Sequence, residues 1–184
     1  MLKIDGQVIW ITGLSGVGKT TLAQQLHLRL QKLDFQPILL DGDELRVIFS
    51  GNKVASQSYD RKARVNLALK YSLLCQTLSS QGFTVIISTI SMFDEIYAWN
   101  RKNLTKYFEI YLKVPLEELY LRDPKSIYQR YKKGKLNNVA GLDLTVDEPK
   151  LPDIIYDFEC QPFLWNSPKN LIDSLMVELE QRSI

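Results

Sequence analysis

The segment Gly13-Leu14-Ser15-Gly16-Val17-Gly18-Lys19-Thr20 constrains this chain more than any other, because it satisfies G-x-x-x-x-G-K-[ST] between an apolar run and a leucine-faced helix. From average glycine usage, a chance match in a chain of this length arises about once in a hundred or less. The residue types explain the pattern. Glycines let the backbone turn so that successive N–H groups point at phosphate oxygens, and the helix N-terminus adds partial positive charge. Lys19 supplies a point charge for the β- and γ-phosphates and Thr20 a hydroxyl for Mg²⁺. Gly13, Ser15, Gly16, Val17, Gly18, Lys19, Thr20 and Thr21 form the expected donor-phosphate site. The bland alternative is a glycine-rich turn that binds nothing.

The pattern around this motif points to one fold class. Val8-Ile9-Trp10-Ile11 suits a strand buried on both faces, and Leu22, Leu26, Leu30 and Leu33 recur on one helical face. A second strand is expected at Pro37–Asp41. Leu67, Leu69, Leu73, Leu74 and Leu78 mark a helix ended by Gly82, Thr84–Ser88 a third strand, and Tyr107–Val114 a fourth, with Pro115 opening the next helix. Ile154-Ile155-Tyr156 and a C-terminal helix from about 168 complete the series. Strands alternating with helices predict a three-layer α/β fold, with a five-stranded parallel sheet and helices on both faces. Residues 123–150 are polar and lack periodicity; a loop this long reads as a lid. At 184 residues the chain is expected to form one domain.

A second constellation, Leu40-Asp41-Gly42-Asp43-Glu44-Leu45-Arg46, follows the second strand. Ligands of parallel α/β sheets bind beyond the carboxyl ends of the strands, so both carboxylates face the crevice of the phosphate loop. One can hold a Mg²⁺ water while the other accepts a proton from an attacking hydroxyl. Alternatively, Asp43 caps a helix.

Together GLSGVGKT and LDGDELR resemble the adenylylsulfate (APS) kinase family of P-loop enzymes, which pass the ATP γ-phosphate to the 3′-hydroxyl of adenylyl sulfate. Arg122-Asp123-Pro124-Lys125-Ser126-Ile127-Tyr128, Gly134, Gly141-Leu142-Asp143, Pro149 and Pro152-Asp153 follow the family's RDxKxLY…G…GxD…P…PD pattern. The similarity runs from about residue 7 to 158. It implies a P-loop kinase fold, ATP and Mg²⁺, and a nucleotide acceptor. Asp43 and Lys19 become the catalytic pair, Thr20 and Asp41 the Mg²⁺ residues, and Arg122 and Lys125 the residues closing over ATP. The implied acceptor site comprises Asp41, Asp43, Arg46, Tyr59, Arg64, Ile90, Ser91, Asn137 and Val139, with the two arginines gripping an anionic group.

The departures from the family cluster on that acceptor site. Arg64 keeps a family arginine and Tyr59 replaces an aromatic, but Leu67 stands for an asparagine. Ile90 and Ser91 match ISPYR, whereas Met92, Phe93 and Asp94 do not, and KNFTG becomes Asn137-Asn138-Val139-Ala140-Gly141. The family stacks its acceptor adenine between two phenylalanines; here Tyr59 alone remains to stack, and a stacked face is worth about 1–3 kcal/mol. Adenylyl sulfate, the acceptor that the resemblance implies, is the first expectation. A kinase of another nucleotide conjugate, such as the APS-kinase-like enzymes acting on cytidine diphosphoramidate, is the second. A regulatory ATP-binding module is the rival from another class, disfavoured by the paired aspartates and long lid.

Composition excludes much else. A net charge of +2 from 23 basic and 21 acidic residues gives no broad footprint for nucleic acid or an anionic membrane. Cys75 and Cys160 match no metal or disulfide spacing and are expected to be buried thiols. The first residues lack a signal-peptide pattern and the apolar runs are strand-sized, so a cytoplasmic protein is expected. His27, the sole histidine, is expected at the surface, and Trp10, Trp99 and Trp165 in packing roles. A homodimer is left open.

Overall fold

The computed structural model describes residues 6–50 and 60–181. In chain order the elements are β1 (Val8–Thr12), α1 (Lys19–Gln31), β2 (Ile38–Asp41), α2 (Gly42–Ser50), α3 (Arg61–Ser80), β3 (Val85–Ser88), α4 (Asp94–Asn103) and β4 (Tyr107–Lys113). They continue with α5 (Leu116–Arg122), α6 (Ile127–Lys132), β5 (Ile154–Asp157), a 3₁₀ turn (Pro162–Asn166) and α7 (Pro168–Gln181). The strands form one parallel sheet in the order β2-β3-β1-β4-β5. β1 thus lies in the middle, and whatever follows it opens at the centre of the sheet's carboxyl edge.

β1 is buried along its whole length because alternate residues serve opposite layers. Ile9 and Ile11 pack with Leu22, Leu26, Leu30 and the α7 residues Leu171, Ile172 and Leu175. Val8 and Trp10 pack with Ala68, Tyr71 and Cys75 of α3 and Ile96 of α4. Helices therefore cover both faces, giving the three-layer α/β architecture expected from sequence.

Several local expectations are corrected. α1 ends at Gln31, and Leu33 lies beyond it, exposed, because the chain turns at Asp34, whose φ is 62°. The buried face of α3 is Ala68, Tyr71, Ser72 and Cys75; Leu73 points to solvent, since the leucines flank that stripe instead of forming it. Residues 123–150 contain the helix α6, so the segment is not structureless. Cys75 is buried, but Cys160 is exposed. His27 is half-buried, and Trp10 is fully buried. Among the described residues no helix is long and apolar enough to cross a membrane.

Candidate active site

The loop between β1 and α1 is built by its glycines. A Cβ on Gly13 would lie 2.4 Å from the Leu112 carbonyl oxygen, so the chain leaves β1 against β4 only as glycine. Gly18 has φ 101°, and a Cβ there would meet nothing within 4 Å; it is the backbone conformation that excludes other side chains. No side chain caps α1, and its first turn carries no acidic residue. Its amides stand open for an anion.

Lys19 donates from Nζ to the Leu14 carbonyl at 2.7 Å, which folds it back over the loop. Desolvation there, with the nearby positive charge of Lys125, draws its pKa down to about 7 against the pull of Asp43 and Asp41. Thr20 Oγ1 and Ser88 Oγ both donate to Asp41 Oδ2, each at 2.8 Å, while Asp41 Oδ1 accepts the Asp43 N–H at 2.8 Å. It is thus Asp41, at the end of β2, that serves the start of α2. The Asp43 carboxylate is left to face the crevice, where Arg46 and Lys125 both pair with it. Against desolvation, which would raise it, the Lys125 hydrogen bond and the charges of Arg46, Lys125 and Lys19 hold Asp43 below the ordinary aspartate pKa.

These groups open into a cavity of about 850 Å³, within the range of small-molecule sites. Of the residues expected from sequence, it brings together Ser15, Gly16, Gly18, Lys19, Thr20, Thr21, Asp41, Asp43, Arg46, Arg64, Ile90, Ser91, Lys125, Asn137 and Val139. Gly13 and Val17 do not line it. Gly13 makes the turn, and the Val17 side chain is buried in the core. Arg122 does not line it either: its guanidinium bonds to Glu118 at 2.9 Å and lies 5.1 and 5.5 Å from the Phe158 and Trp165 rings. Tyr59 falls outside the described residues.

Sequence reasoning missed Thr89, Tyr71 and Phe93 in the lining, where Leu67 also appears; the basic run Arg130–Lys135, read from sequence as a solvated face or a screen for phosphates inside the lid, brings Arg130 and Lys135 to the lining. Tyr71 donates to the Gly42 carbonyl at 3.0 Å, fixing α2 against α3. Thr89 and Ser91 share a hydrogen bond of 2.8 Å, with Ser91 at φ 29°, a conformation that non-glycine residues seldom adopt. Phe93 carries the Arg61 guanidinium 5.1 Å from its ring centroid. The aromatic at 93 and the basic run at 130–135 were visible signals; which way they face was not.

The segment 123–150 docks at both ends. Asp123 accepts from the Tyr128 and Gln129 amides, and Tyr128 Oη donates to the Ser15 carbonyl at 2.8 Å, tying α6 to the phosphate loop. At the far end Asp147 accepts from Arg61 at 2.6 Å and from the Asp94 amide at 3.0 Å.

The adenylylsulphate kinase family model matches residues 5–157. The chain is 39% identical over 174 residues to a cytidine diphosphoramidate kinase of Campylobacter jejuni, covering 95% of this chain and 99% of that one. It is 35% identical to a probable adenylyl-sulfate kinase of Archaeoglobus fulgidus, over 82% and 94% of the two chains. Among solved structures, a Mycobacterium tuberculosis APS kinase in complex with AMPPNP and APS superposes with a TM-score of 0.80 at 26% identity, over 96% and 98%. With its central phosphate loop, its paired aspartates and these relatives, the chain belongs to the adenylylsulphate kinase family of P-loop phosphotransferases.

Proposed function

We propose that this kinase transfers the γ-phosphate of ATP to a hydroxyl of a nucleoside diphosphate-type conjugate whose base is smaller than adenine, with cytidine diphosphoramidate the leading candidate. One observation carries the choice: Val139 and Leu67, which stand for a family phenylalanine and asparagine, both line the cavity that holds Asp43. Its similarity to the Campylobacter jejuni kinase supports the same acceptor. Adenylyl sulfate is the second reading, favoured by the 35% identity to the Archaeoglobus fulgidus kinase.

The donor phosphates lie against the loop amides and Lys19. The hard oxygens of Thr20 and Asp41, converging within hydrogen-bond distance, fit Mg²⁺, which when bound supplies charge neutralisation at the phosphates. The acceptor oxygen attacks the γ-phosphorus, the bond to the ADP oxygen breaks, and the acceptor's proton passes to Asp43. Because its cationic neighbours hold Asp43 ionised, its task is to orient the hydroxyl and receive the proton late, as suits a loose phosphoryl transition state. Lys125, paired with Asp43 and close enough to Lys19 to act on its charge, supplies a second positive group toward the phosphates. Arg46 and Arg64 hold the acceptor's anionic group.

The test is ATP consumption against a panel of adenylyl sulfate, cytidine diphosphoramidate and other cytidine diphosphate conjugates, run on the parent, Val139→Phe and Asp43→Asn. The expected result is the highest kcat/KM with a cytidine conjugate, lowered by Val139→Phe while adenylyl sulfate improves five- to a hundredfold, about the worth of one stacked base. Asp43→Asn should lower kcat by about 10²–10⁴-fold. Efficient parental turnover of adenylyl sulfate, indifferent to Val139→Phe, decides for the second reading.

A further inference from the structure

Asp143 lies outside the cavity lining, yet both its carboxylate oxygens are committed to the one turn that supplies the acceptor wall. Oδ2 accepts the Asn138 N–H at 2.8 Å and Oδ1 the Val139 N–H at 2.7 Å. The loop closes on itself around this clip: the Leu142 and Leu144 amides both donate to the Val139 carbonyl, and Gly141 donates to the Leu144 carbonyl. Asn138 sits at φ 57°, a left-handed conformation that asparagine adopts more readily than most residues with a side chain. On the other side of the same peptide, Arg64 Nη2 donates to the Asn138 carbonyl at 2.6 Å. The backbone of one residue therefore joins a lid carboxylate to an arginine on α3, while the next residue, Val139, is buried and lines the cavity.

We infer that Asp143 is a positioning residue for the acceptor: it holds the Asn138–Val139 turn in the one conformation that sets the base wall and docks the lid on Arg64. The physical reason is charge and geometry. Two N–H donors on one carboxylate are charge-assisted bonds, and they fix the orientation of two successive peptides. Without them the turn keeps only the bonds to the Val139 carbonyl and the Arg64 bond to the Asn138 carbonyl, so the Asn138–Val139 peptide loosens and with it both the wall and the Arg64 tether. The donor side is anchored separately, through Asp123, Tyr128 and the Ser15 carbonyl, so the effect falls on one substrate only.

This inference rests on the acceptor reading above, and two measurements keep their failures apart. The first is hydrogen exchange at the Asn138 and Val139 amides in the parent, Asp143→Ala and Asp143→Asn, with no substrate present. Exchange at both amides should accelerate at least tenfold in Asp143→Ala and less in Asp143→Asn, whose amide oxygen still accepts one N–H. The second is steady-state kinetics with adenylyl sulfate and with cytidine diphosphoramidate. Asp143→Ala should raise KM at least tenfold for whichever acceptor the parent uses, with the KM for ATP and the saturating kcat within threefold, and Asp143→Asn should recover part of the loss. Unchanged exchange, or an equal rise in both KM values, overturns the role of Asp143. If the parent phosphorylates neither acceptor, the acceptor reading falls, and the exchange result alone decides whether Asp143 holds the turn.

Discussion

Lys19 sits where burial and a neighbouring lysine disfavour its charge. Folded back on the Leu14 carbonyl with Lys125 nearby, it titrates at about 7, well below an ordinary lysine. A phosphate oxygen beside it reverses that shift, since an opposite charge within a few ångströms favours the protonated form. Binding of ATP at pH 7 should therefore take up about half a proton through Lys19. Above pH 7 ATP affinity should fall with rising pH, because each binding event must first charge the amine. Calorimetry in buffers of different ionisation enthalpy measures the uptake directly. Lys19→Arg, charged throughout, should abolish this component, and identical uptake in both proteins would sink the idea.

At the scale of elements, the informative piece is α6, a six-residue helix with no side-chain cap from Ser126, which is itself left-handed at φ 52°. So short a helix is not stable on its propensity alone. It is held by Asp123, only 8% exposed, whose carboxylate accepts the amides of Tyr128 and Gln129. Asp123→Ala should cost about 1–2 kcal/mol, as loss of a helix-start carboxylate does. In a domain of this size that lowers the melting temperature by roughly 2–8 °C. A melt unchanged within 1 °C, roughly the scatter of such scans, would show α6 to be held by its packing instead. The sequence hid α6 for a physical reason: its start signal, Asp123, lies before a proline, in a stretch whose periodicity is too short to register. By contrast β1, α1 and Gly82 were legible because apolar period and glycine conformation are local properties. The inward face of α3 was only half legible, since Ala68, Ser72 and Cys75 are chosen for close packing and carry little hydrophobic signal. The site divides the same way. The phosphate loop and Asp43 follow from spacing along the chain, whereas Phe93, Tyr71 and the Asp143 clip depend on contacts between distant segments.

For the molecule as a whole, a parallel sheet covered on both faces leaves no wet side on which to place a charge, and Glu109 is the exception. It stands in the middle of β4, in register with Trp10 on β1, and is 2% exposed. Arg101 of α4 reaches its Oε2 at 3.2 Å while also pairing with Asp153 at 2.6 Å, and Glu109 Oε1 finds no hydrogen-bond donor among the described residues. Burial, with the negative charge of Asp153 behind it, therefore outweighs the Arg101 attraction and a Tyr107 hydrogen bond and pushes the carboxyl up to about 7. In the unfolded chain it titrates near its ordinary value of about 4.3. Between those two pH values the unfolded chain has released this proton and the folded one keeps it, so folding becomes less favourable as pH rises. The stability is fully present below the unfolded value and is lost as pH climbs through 7, by about 3.5 kcal/mol in all, of which about 2–3 kcal/mol falls between pH 5 and pH 8. Glu109→Gln removes the titration but keeps the shape, and leaves Arg101 paired with Asp153. Thermal melts of the two proteins from pH 5 to pH 8 should therefore diverge. The parent should lose roughly 4–12 °C more across that range than the variant. Parallel melting curves would mean that Arg101 keeps Glu109 ionised throughout, and that the middle of the sheet carries a permanent ion pair.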